Sequence, residues 1–103
     1  MTNLEKLNAM LERARAIKAE LFMASCSTAE WSGILAICGG IETMIEAAES
    51  FRKYGSAFNR GALCGSVYAA NQILLFARIS FGNDFDNIDM TGLIIECEGG
   101  EKQ

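Results

Sequence analysis

Residues 57–81 (AFNRGALCGSVYAANQILLFARISF) constrain this chain more than any other stretch. Read as a helix, the segment is apolar on two sides. Leu63, Val67, Ala70, Leu74, Ala77 and Phe81 recur at three- and four-residue steps and form one stripe. Gly61, Gly65, Tyr68, Leu75, Phe76 and Ile79 fall on the opposite side. Only a narrow strip carrying Arg60, Asn71 and Arg78 suits water. A helix that is apolar nearly all round is normally a buried one. Protein is therefore expected against both of its flanks.

Two further helices are expected to supply part of that cover. The first spans residues 4–24. Thr2 and Glu5 have the spacing of a capping box, and Leu4, Leu7, Leu11, Ala14, Ile17 and Leu21 form its apolar stripe. The second spans 28–54. Ser27 and Glu30 repeat the capping box, and Gly55 is placed as a left-handed stop. Its core stripe is Ile34, Ile37, Cys38, Ile41, Met44, Ile45 and Ala48. Gly39 and Gly40 together cost roughly 2 kcal/mol relative to alanines, so a kink or break is expected there. Gly33, Gly40 and Ala47 line one side of this helix, and Ala62, Gly65 and Ala69 line one side of the next. The two small stripes are expected to meet and let the backbones approach below the usual ~8–10 Å. Ser56 or Asn59 caps the third helix and Gly82 ends it. Short loops make neighbouring helices antiparallel.

The last 21 residues differ in character. Residues 83–92 (NDFDNIDMTG) read as turn. Leu93, Ile95 and Cys97 then alternate with Ile94, Glu96 and Glu98, a strand-like pattern. A strand needs a partner for its backbone groups, and no second strong strand is present. Three fates remain open: pairing with its own copy in another subunit, lying extended against the helices, or winding into a short helix. Residues 99–103 read as a frayed tail. The expected fold is all-α, a three-helix antiparallel bundle over 1–82 with a C-terminal extension over 83–103 in the same domain.

Composition excludes several chemistries. A 103-residue chain makes one domain with a modest core, burying roughly 65% of its unfolded surface. A net charge of −4 opposes non-specific attraction to nucleic acid or anionic lipid. Histidine is absent, which removes the commonest proton-transfer group and metal ligand. Cys26, Cys38, Cys64 and Cys97 form no CxxC pair and read as free thiols of a reducing cytoplasm. The charged first 21 residues lack the apolar core of an export signal. Asn71 and Gln72 interrupt the longest apolar run, so no membrane span is expected.

No catalytic residue is assigned. Serine and cysteine nucleophiles have no histidine base, and no SxxK motif occurs. Gly39 and Gly40 lack the lysine of a phosphate loop. Asn87, Asp89, Thr91, Gly92 and Glu98 fall at EF-hand positions 1, 3, 5, 6 and 12. The asparagine at position 1 and the missing exit helix favour an ordinary turn. Neither a metal nor a cofactor is expected, and the chain is not expected to be an enzyme.

Protein binding is the leading expectation. The apolar surface exceeds what three helices can bury, and a homodimer would cover the excess. Trp31 and Leu35 share a side of the second helix with Glu42, Glu46 and Glu49, a candidate surface for a basic partner. The bland reading is that Trp31 packs against the first helix and the glutamates form a solvated face. A second class, sequestration of a small anion or nucleotide, would use Arg60, Tyr68, Asn71, Gln72 and Arg78 at an intersubunit pocket. Arg60 and Arg78 stand about 27 Å apart along one helix, so only an oligomer could bring two such arginines together. In size and acidity the chain is similar to the small accessory proteins of phages and mobile elements. That resemblance of class implies an inhibitor that binds and blocks a host protein.

Overall fold

Helix α1 (Asn3–Met23) begins where its cap residues dictate. Thr2 Oγ1 accepts from the Glu5 N–H at 3.1 Å, and Glu5 Oε1 accepts from the Thr2 N–H at 3.1 Å. Helix α2 (Thr28–Tyr54) repeats the device with Ser27 and Glu30, and Gly55 stops it at φ 64°. Helix α3 (Ala57–Phe81) is capped by Ser56, whose hydroxyl accepts from the Asn59 N–H at 3.1 Å. Helix α4 (Met90–Glu98) follows a linker. The computed structural model describes residues 2–82 and 84–98. Residues 99–103, expected as a frayed tail, and Asn83 of the expected turn lie outside these described residues.

The fold is all-α, with four helices and no strand among the described residues. Of the three fates open to the strand-like segment at the C-terminus, it takes the short helix, α4. Its apolar residues explain the choice. Leu93, Ile94 and Cys97 lie at steps of one and four, and all three are buried, whereas Ile95 points outward. A strand would have set Leu93 and Ile95 on one face. The three-helix arrangement thus gains a fourth member.

Helix α2 is the centre. It packs against α1, α3 and α4, while α1 and α3 do not pack on each other. The linker and α4 fill the space between them. Phe85, fully buried, is the largest side chain they contribute. The core also takes Leu7, Leu11 and Ala14 from α1, Ile34 to Phe51 of the α2 stripe, and Leu63, Val67, Ala70, Leu74 and Ala77 from α3. No polar or charged side chain among the described residues is buried.

Polar contacts at several points hold the C-terminal segment. The Glu96 carboxylate accepts from the Asn3 N–H at 2.9 Å and the Leu4 N–H at 3.0 Å, so α4 caps the free N–H groups of α1. Asn71 clasps the linker backbone: its Oδ1 accepts from the Ile88 N–H at 2.8 Å, and its Nδ2 donates to the Ile88 carbonyl at 3.3 Å. Arg60 approaches Glu98 at 4.0 Å.

Two expectations about glycine need correction. Helix α2 runs unbroken through Gly39 and Gly40. The small stripes do not meet backbone to backbone. A Cβ on Gly40 would come 3.1 Å from Ile73 Cδ1, and one on Gly33 would come 3.0 Å from the Phe76 ring. Large side chains of α3 therefore occupy the α2 glycine side, whereas Ala62, Gly65 and Ala69 are exposed. They border an open groove of about 460 Å³ together with Gly39 and Gly40.

Candidate functional site: the outer face of the third helix

The core residues of α3 turn its remaining side outward. Phe58 is 82% exposed, Ile79 79%, Tyr68 68%, Leu75 55% and Phe76 49%. Gly61, Ala62, Gly65, Ala69 and Gln72 lie between them, also exposed. From Phe58 to Ile79 this face carries no charged residue. The helix rises about 1.5 Å per residue, which makes the face on the order of 30 Å long. Single exposed apolar side chains are ordinary, but here they form one contiguous uncharged face of that length. The expectation of cover on both flanks is met within this chain on one flank only. By length and composition α3 is also long and apolar enough to cross a membrane.

The five residues expected to line an oligomer or ligand pocket divide into two sets. Arg60, Asn71 and Arg78 face the linker and α4, where they meet Glu98, Ile88 and Asp86. The Arg78–Asp86 contact is 3.8 Å, and Arg78 is 54% exposed. Tyr68 and Gln72 belong to the open face. The structure does not bring the five together. Sequence reasoning read Asn71 as an interruption in a greasy run. Its role as a clasp depends on a loop seventeen residues away.

The second candidate surface follows the flank of α2 beside α1. Trp31 is half-buried, with its ring 6.0 Å from that of Phe22 across the α1–α2 turn. Leu35 is 44% exposed. Glu42 meets Arg15 at 3.4 Å, and Glu46 is exposed. Glu49 borders a cleft with Arg52 and Lys53. Arg15, Arg52 and Lys53 thus stand among these glutamates.

The linker does not build a calcium loop. Asn87 and Asp89 are in the linker, but Thr91, Gly92 and Glu98 are helical, so the twelve positions cannot wrap one ion. A cleft of about 510 Å³ separates the linker from α1, bordered by Lys6, Met10, Arg13, Asp84, Asp86 and Asp89. Arg13 and Asp84 are paired across it at 3.0 Å.

Comparison with known protein families, curated proteins and solved structures finds no match.

Proposed function

We propose that the protein is a non-enzymatic, self-associating interaction module that works by occupying surface. The charge-free outer face of α3 carries this reading. Apart from Phe76, whose ring reaches Gly33 of α2, the described residues leave that face uncovered, and it concentrates large side chains and open glycines. Arg60, Asn71 and Arg78 bind their own chain, which favours association over sequestration of an anion. A reducing, cytoplasmic setting belongs to the same reading, since Cys26, Cys38, Cys64 and Cys97 form no CxxC pair. The likeness to small acidic accessory proteins adds a second partner, a host protein to be blocked, contacted by surface left free after self-association. The α2 flank around Leu35, Glu42 and Glu46 is available for it.

A protein surface suits the α3 face better than a bilayer does. Interfacial helices typically combine an apolar face with basic residues that meet anionic lipid; the two basic residues of α3, Arg60 and Arg78, instead lie beside Glu98 and Asp86 of their own chain, which is net negative. Sedimentation velocity over a concentration series tests the reading. Wild-type protein is expected to associate, and Ile79→Asp to sediment as a folded monomer. A wild-type monomer at every concentration would contradict it.

A further inference from the structure

Resting on that reading, we infer that the occupant of the α3 face is a second copy of the chain, lying antiparallel about a two-fold axis near residue 69. The face is unequal along its length. Phe58 stands at its N-terminal end; the rest of the N-terminal half has only Gly61, Ala62 and Gly65, and the C-terminal half has Leu75, Phe76 and Ile79. The glycines are unexplained by the monomer. A Cβ on Gly61 or Gly65 would meet nothing within 4 Å, yet each glycine weakens the helix. Such glycines serve the close approach of another backbone.

Orientation follows from the taper. A parallel copy sets bulky against bulky and small against small, so the two helices cannot touch along their whole length. An antiparallel copy lays Leu75, Phe76 and Ile79 over the partner's Gly61 and Gly65, twice by symmetry. The self-complementary surface required by an isologous dimer is then met by one helix. Charge agrees, because a face with no charge along it offers no counter-ion to a basic or acidic partner, and its own copy demands none. Area agrees as well. Five large side chains, 49–82% exposed, each offer on the order of 100 Å². With the intervening small residues the face offers up to about 700 Å² per copy, just below the ~800 Å² per partner of a standard stable interface.

Cross-linking through exposed positions tests the arrangement. Cys26 and Cys64 are replaced by serine so that the remaining native thiols, Cys38 and Cys97, are buried. A short bismaleimide is expected to dimerise Ala69→Cys with itself. It is expected to leave Gly61→Cys and Ile79→Cys monomeric when each is alone, since like positions stand roughly 25 Å apart. Mixed one to one, those two chains are expected to cross-link. Gly65→Leu, whose side chain fills the seam, is expected to weaken the dimer at least tenfold with helix content unchanged. A dimer in which Gly61→Cys links to itself, or in which Gly65→Leu changes nothing, overturns the antiparallel arrangement and leaves self-association standing. Wild-type protein that stays monomeric overturns both. If that monomer floats with phosphatidylcholine vesicles, the occupant is a bilayer instead.

Discussion

Ser25 shows how much a single residue carries here. It adopts φ 55° at the α1–α2 turn, a left-handed conformation that favours glycine. Ser25→Gly is expected to raise stability by about 0.5–1 kcal/mol, read from the urea midpoint. Glu96 works the other way. Removing its carboxylate in Glu96→Ala frees two N–H groups at the start of α1 and is expected to cost roughly 1–2 kcal/mol. Nothing near Glu96 in sequence announces this role, because its partners are 92 and 93 residues away. Thr2 and Glu5, three residues apart, were legible for the opposite reason. The hydrogen bonds from Thr2 hold the Glu5 carboxyl below its ordinary range.

The thiols add a pH dependence. Burial pushes Cys38 and Cys97 above the ordinary thiol value, with neighbouring charges secondary. The folded chain keeps these protons more tightly than the unfolded chain does. Their contribution is complete below the unfolded value of about 8.5 and is lost as pH rises through the raised folded values. The urea midpoint is expected to fall above that pH, with a shallower fall in Cys38→Ala. Half-buried Cys26 and Cys64 are expected to react first with a thiol reagent at neutral pH.

At the scale of the element, α2 and α3 carry glycines of two kinds. A Cβ on Gly39 meets nothing, so Gly39→Ala is expected to stabilise by up to about 1 kcal/mol. Gly40 looks onto Ile73, whose terminal carbon can yield to one methyl but not to an isobutyl group. Thermal denaturation is expected to place Gly40→Leu clearly below Gly40→Ala. Helix starts, stops and core stripes were readable because caps and three-to-four spacing are local. Helix α4 was only one of three open fates, because a nine-residue run holds just about two and a half turns. Over so short a span, Leu93, Ile94, Ile95 and Cys97 satisfy both periods. Tertiary packing settled the matter through Phe85, which no periodicity marks. Phe85→Ala is expected to cost about 3–5 kcal/mol and to raise amide exchange throughout α4.

At the scale of the molecule, one central helix leaves its neighbour α3 half covered. The excess of apolar surface was legible from composition and spacing alone. The side that would stay open was not, since that depends on where α4 docks. The account stands on another molecule lying over the α3 face in solution. Tyr68 reports on that face, and Tyr54, 67% exposed at the end of α2, is its built-in reference. Within one chain the two residues are equally exposed, at 68% and 67%, and Ile79→Asp controls for the Lys53 ammonium that lies 5.4 Å from the Tyr54 ring. The measurement is the rate of nitration at each tyrosine in concentrated wild-type protein, read by peptide mass spectrometry. Tyr68 is expected to react at least several-fold more slowly than Tyr54, and Ile79→Asp to restore parity. Equal rates in the wild-type protein would contradict the account.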